Sequence, residues 1–137
     1  MVASENIASW QELARSVDQH PDAEYWIKWK NLAHRLLQYA EAQQFNKYIR
    51  AGRSMNHLTF STLDHHGLRD EPRVTVELKA DGQMRIAFGR GNLYFSKADV
   101  EYTLPFDEAC LVFHRFLNQL WQQTMPEPLP DELRQHS

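Results

Sequence analysis

The chain has 137 residues, a formal net charge of −3 and a single cysteine. This length suits one domain that buries its own core, and one cysteine excludes an intrachain disulfide and fits a reducing compartment. The mild charge is typical neither of a polybasic nucleic-acid surface nor of an acidic decoy. The first residues lack the pattern of a signal peptide, and no apolar run reaches the roughly 20 residues of a membrane helix. We therefore expect a cytoplasmic protein without a membrane partner.

Two helices are predicted at the N-terminal end. In the first, apolar residues recur at helical spacing over residues 7–17, with Ser4 placed to cap it. The second is predicted to begin at Pro21, which suits the first position of a helix. It should bend or end near Gln43-Gln44, with Gly52 as a later stop. Its apolar stripe consists of Tyr25, Trp26, Trp29, Leu32, Ala33, Leu36, Leu37, Tyr39 and Ala40.

Strands are predicted between His57 and Leu104, because apolar and polar residues alternate there. The alternating positions are Leu58, Phe60 and Thr62, then Val74, Val76 and Leu78, then Met84, Ile86 and Phe88, then Leu93 and Phe95, and finally Val100, Tyr102 and Leu104. Residues 64–72 are predicted to form a polar loop, Asp81-Gly82 a hairpin turn, and residues 89–92 a second turn.

Pro105 is predicted to open a last helix, whose broad apolar face extends from Phe106 to Trp121. Together these elements predict an α+β fold. It would be a four- to five-stranded antiparallel meander sheet, with two N-terminal helical segments and one C-terminal helix packed on one face. Residues 1–125 are predicted to be a single domain, and residues 126–137 an extended, mobile, Pro-rich tail.

Three patterns suggest chemistry, and each has a simpler structural explanation. Asp64-His65-His66, with His57 nearby, offers metal-ligand types, but adjacent residues on extended chain point to opposite sides. Cys110 and His114 are one helical turn apart, but Cys110 falls in the apolar arc and is predicted to be core. Gly89-Arg90-Gly91 leads into a predicted strand and not into the helix that a phosphate loop needs. We therefore predict no metal, no other cofactor and no catalytic residues.

Residues 25–56 hold six basic residues against one acidic residue, Glu41. Such a zone could follow a phosphate backbone or dock an acidic protein. Nucleic-acid binding is disfavoured, because the whole chain is acidic and Lys28 and Arg35 lie opposite the apolar stripe of the second helix.

A protein-binding surface is predicted on the sheet face that the helices leave uncovered. Tyr94 should point to that face, because it alternates with Leu93 and Phe95. Aromatic and arginine side chains are enriched at protein interfaces. The predicted partner-binding residues are Tyr94, Arg73, Arg85, Arg90, Glu77, Glu101 and, at the edge of its helical stripe, Trp26.

The size and architecture of the chain, from Ile7 through the hairpins at 74–95 to the helix at 106–121, resemble those of bacterial immunity proteins. This resemblance implies that the chain binds a cognate secreted toxin protein and occludes its active site. A secretion chaperone or adaptor is the alternative binding module, and a homodimer is left open. From a different class, a small ligand-binding protein or enzyme could use a pocket between helices and sheet, with His57, His65 or His66 at its mouth.

Overall fold

The computed structural model describes residues 3–19, 24–54, 57–62, 71–90 and 98–134. The helices are α1 (Ala3–Asp18), α2 (Glu24–Ala42) and α3 (Phe106–Thr124). The strands are β1 (Arg50–Ser54), β2 (His57–Ser61), β3 (Pro72–Leu78), β4 (Gln83–Arg90) and β5 (Val100–Pro105), and short 3-10 helices cover Phe45–Lys47 and Asp131–Leu133. Each strand pairs antiparallel with the next along the chain. The predicted α+β meander with its three helices is confirmed.

The core lies between the helices and one face of the sheet. Sheet residues buried on this side are Ala51, Leu58, Phe60, Val74, Val76, Leu78, Met84, Ile86 and Phe88. Aromatic rings connect the layers: Phe60 lies 5.2 Å from the Trp10 ring of α1 and 4.9 Å from the Phe113 ring of α3, measured between centroids. The cluster includes Trp29 and Trp121, as the helical stripes predict.

The end of α2 is close to its predicted position. The helix stops at Ala42, and Gln44 adopts a left-handed conformation with φ of 62°. Phe45 and Ile49, which fall off the helical stripe, are fully buried beyond that turn. Gly52 belongs to β1 and does not stop a helix, so that part of the prediction is wrong. In β1, Ala51 is the one apolar residue with a side chain, and it stands between two arginines. The strand therefore has no alternation of apolar and polar residues that would have indicated it.

Other boundaries also differ from the prediction. Helix α1 begins at Ala3, so Ser4 lies inside the helix and is not its cap. Pro72 begins β3, a position where its missing N–H is tolerated. Gly89 and Arg90 complete β4 and are not a turn. The starts of the predicted second helix at Pro21 and of the strand at 93–95 lie outside the described residues.

The β3–β4 connection confirms the predicted Asp81-Gly82 turn. Gly82 has φ of +87°, a conformation that side chains with a Cβ rarely adopt. The Asp81 carboxylate accepts a hydrogen bond of 3.0 Å from the Gln83 N–H. Lys79 N–H donates to the Gln83 carbonyl at 2.9 Å and closes the turn. The turn therefore fixes the register of the central hairpin.

Helix α1 covers the outer edge of β1 and of the chain leading into it. The Asn6 amide donates to the Lys47 carbonyl at 3.0 Å, and the Trp10 indole N–H donates to the Ile49 carbonyl at 2.7 Å. The Ser9 hydroxyl accepts a hydrogen bond of 2.9 Å from the Ala51 N–H. Three backbone groups at alternate positions of this edge are therefore paired with side chains of α1.

The segment after α3 is packed against the domain as far as it is described. The Trp121 indole N–H donates to the Glu127 carbonyl at 3.1 Å. Leu133 is fully buried in the core cluster, and Leu129 packs against that cluster. Two leucines among the prolines therefore anchor residues 126–134, where an extended tail was expected, to the core.

Candidate protein-interaction surfaces

Three of the predicted partner-binding residues come together on the sheet face away from the helices. Glu77 of β3 lies opposite Arg85 of β4. The Arg85 guanidinium donates from Nε to the Glu101 carboxylate of β5 at 2.7 Å. Lys79 Nζ lies 3.9 Å from a Glu77 oxygen. We call Glu77, Arg85 and Glu101 the charged cluster.

The middle of that face is buried, contrary to prediction. Arg73, predicted as a partner-binding residue there, is only 5% exposed, and burial lowers the pKa of its guanidinium. Thr59, Thr75 and Ala87, on neighbouring strands, are buried as well. Alternation assigns residues to a face but does not decide whether that face is solvated.

Trp26 is not part of the charged cluster, but it lines a groove together with Glu77. Its ring is partly exposed and meets the Trp29 ring edge-on, with 5.6 Å between centroids. The groove has a volume of about 620 Å³ and runs between the first turns of α2 and the β3–β4 turn. Its lining residues are Trp26, Trp29, Glu77, Leu78, Lys79, Ala80 and Asp81. We call this concavity the tryptophan groove.

Arg90 does not join these surfaces. Arg90 is exposed at the far end of β4, opposite Pro72. The alternation of β4 puts it on the helix side with Phe88, and not beside Arg85. Tyr94 lies outside the described residues.

His57 does not face a pocket between the helices and the sheet. It lies on the opposite side of β2 from Leu58, is 5% exposed, and has its Nε2 atom 3.9 Å from a Glu77 oxygen. Burial lowers its pKa, although Glu77 acts in the other direction. The prediction that His57 lies at the mouth of such a pocket is therefore wrong. Asp64, His65 and His66 lie outside the described residues.

Cys110 and His114 are core residues, as predicted for the cysteine. Burial, with a smaller contribution from Asp107, raises the pKa of the Cys110 thiol to about 12. A thiol that stays protonated is a poor nucleophile. The His114 ring is buried 4.8 Å from the Phe45 ring, between centroids. Among residues the structure describes, no three histidine, cysteine or acidic side chains cluster as a metal site would require.

A further surface beside β5 was not predicted. Tyr102 is 42% exposed and Leu111 on α3 is 63% exposed. The Arg115 guanidinium lies 5.8 Å from the centre of the Tyr102 ring. Tyr102 is one of the alternating apolar positions of its strand, and alternation does not reveal that β5 is the last of the described strands in the sheet. The signal for Leu111 was available, because it falls outside the apolar arc of α3.

Within the described ranges, none of the helices combines the length and hydropathy that a membrane span needs. Comparison of the chain with family models, with curated proteins and with solved structures finds no match.

Proposed function

We propose that the chain is an immunity protein, which binds a cognate secreted toxin protein and neutralises it by occluding the toxin's active site. The observation that carries the proposal is the tryptophan groove, joined through Glu77 to the charged cluster. Aromatic anchors bordered by charged groups are the usual composition of protein–protein contact surfaces.

Trp26 has the properties of an anchor. One side of its ring packs on Trp29, which is buried, so little side-chain freedom remains to be lost on binding. The ring is still partly exposed, and its neighbour Ile27 is 45% exposed. A partner side chain that enters the groove would remove the exposed apolar surface of Trp26 from water.

The charges bordering the groove favour a basic partner surface. Glu77 and Asp81 contribute two carboxylates against the single ammonium of Lys79. The whole chain is also negative, with a formal charge of −3. Complementary charge raises the association rate and disfavours wrong partners. A basic region at the toxin's active site would fit this border.

The alternatives gain less from the geometry. No described feature favours a secretion chaperone or adaptor over an immunity protein. The enzyme hypothesis depended on histidines at the mouth of a pocket between helices and sheet, and His57 lies on the other face. The test therefore asks whether the chain binds a toxin and inhibits it.

The experiment expresses the proteins encoded by the two flanking genes in a bacterial host, each with and without this chain. We expect one of them to arrest growth alone and not together with this chain. The purified pair should then bind at equal stoichiometry in calorimetry, and Trp26→Ala should weaken binding about tenfold or more, as loss of an interface anchor does.

Two further variants make the test specific. Glu77→Gln should slow association and reduce its dependence on salt, because it removes one border charge. Gln38→Ala, on the exposed side of α2, is the matched control and should change neither binding nor growth rescue. If neither flanking protein arrests growth or binds, the immunity proposal is wrong.

A further inference from the structure

The two edges of the sheet differ. The outer edge of β1 is hydrogen-bonded to α1 through Ser9, and the chain before it through Trp10. At the other end, β5 pairs with β4 and has no further neighbour among the strands that the structure describes. Its central residues Glu101, Tyr102 and Thr103 are exposed. An edge strand of this kind presents a row of backbone donors and acceptors to another strand.

Within Val100–Leu104, β5 lacks two of the devices that usually keep an edge strand from pairing, lysine and proline. The run from Val100 to Leu104 contains no lysine and no internal proline, and its valine, tyrosine and threonine favour strands. The charge of Glu101 is engaged by Arg85 of its own chain. On the helix side the edge is bordered by the exposed side chains of Tyr102 and Leu111.

We propose that β5 pairs antiparallel with β5 of a second copy of the chain, on a two-fold axis at Tyr102, and forms a continuous ten-stranded sheet. This proposal goes beyond the immunity function and concerns the protein alone.

The side chains of β5 are self-complementary in this register. On the helix side, Val100 of each copy is opposite Leu104 of the second copy, and the two Tyr102 rings are adjacent. On the other side, Glu101 is opposite Thr103 of the second copy. Thr103 is opposite Arg85 within each chain, so the Arg85 of the second copy lies two strand spacings, about 9–10 Å, from Glu101. Apolar groups meet apolar groups, and neither Glu101 carboxylate is directly opposite a like charge.

The neighbouring registers are worse. A shift of two residues one way places the two Glu101 carboxylates opposite each other, which is repulsive. The same shift the other way places Glu101 opposite Pro105, which has no N–H to donate. Pairing should also stop at two copies, because α1 occupies the β1 edge and a third chain has no strand edge to join.

The test uses the purified full chain and measures the dimer dissociation constant by sedimentation velocity over a concentration series. Thr103→Glu places a carboxylate opposite Glu101 of the second copy. We expect it to weaken the dimer about tenfold, because the symmetry applies each repulsive pair twice. Thr103→Lys should instead strengthen the dimer. Within one chain the signs are reversed, since residue 103 is opposite Arg85, so loss of folding cannot imitate this pair of results.

Gln38→Glu adds the same charge on α2, away from the edge, and should leave the dissociation constant unchanged. The double variant Glu101→Lys, Thr103→Glu restores opposite charges across the axis and should recover the dimer. A monomer at every concentration, or a dimer that responds equally to Glu and Lys at position 103, would overturn the proposal. Either result would leave the immunity proposal untouched, because the toxin experiment measures binding of the toxin and not association of the chain with itself.

Discussion

His57 is a buried titratable group on a strand. Its pKa is lowered by burial, so the folded protein holds this ring neutral to lower pH than the unfolded chain does, where the ordinary value is 6.5. Below that ordinary value the unfolded state binds more protons than the folded state. The free energy of unfolding must therefore fall as the pH drops through that region, and the contribution is fully present above it.

This direction of the pH dependence of stability gives a prediction for one substitution. In His57→Gln, chemical unfolding followed at about pH 8 and about pH 5 should show a smaller loss of stability on acidification than in the unchanged chain. The variant itself is expected to be less stable at the higher pH, since a buried polar contact is altered. An equal loss in both proteins would show that other groups account for the acid sensitivity.

Single residues also show what the alternation of apolar and polar residues along a strand can predict and what it cannot. The alternation in β3 correctly placed Arg73, Thr75 and Glu77 on one face, but only Glu77 retains appreciable exposure. Periodicity reports direction, and burial depends on what the rest of the chain puts over that face. The same reasoning located Trp26 at the edge of its stripe, where the structure has it half-buried.

Helix α1 stabilises the β1 edge through specific hydrogen bonds, and this can be measured. Ser9→Ala removes the acceptor for the Ala51 N–H and should cost about 1 kcal/mol. Trp10→Phe keeps an aromatic ring but leaves the Ile49 carbonyl without its indole donor, which should cost about 1–3 kcal/mol. Both values come from denaturant unfolding curves.

Ser4→Ala is the matched control for these variants. Ser4 is exposed on the same helix and does not cap it, so its stability should change by less than about 0.5 kcal/mol. If Ser9→Ala were as neutral as Ser4→Ala, the hydrogen bond between α1 and β1 would not contribute to the fold.

At the level of elements, the sequence predicted those helices and strands in which apolar residues recur with a clear period. The apolar stripes predicted α2 and α3, and two-residue alternation predicted β2 to β5. Strand β1 was missed because it is short and has arginines on either side of Ala51. Its place in the sheet depends on pairing with β2 and on side chains of α1 some 40 residues earlier, and no local pattern contains that information.

For the molecule as a whole, the C-terminal segment contributes to the common core. Leu133 is fully buried, so Leu133→Ala should destabilise the protein by about 2–5 kcal/mol, as for other buried leucines. Arg134→Ala removes only an exposed ion pair to Asp131 and should change stability by less than about 0.5 kcal/mol. Thermal and denaturant unfolding of both variants provide the comparison, and equal stabilities would mean that the segment is dispensable.

The architecture was predictable because each helix and nearly every strand has a local signature, and because neighbours in sequence pair in the sheet. The interaction surfaces were less predictable. The tryptophan groove combines α2 with the β3–β4 turn, and the edge at β5 arises because β5 is the last of the described strands in the sheet. Such features arise from the arrangement of distant segments.

The pairing of every strand with its nearest neighbour along the chain has a kinetic consequence. Because each described strand pairs with the next one along the chain, the pairing itself joins segments that are near in sequence, and such contacts form quickly. The turn at Gly82 joins the two longest strands, so that hairpin is the natural nucleus, with flanking strands added outward on either side.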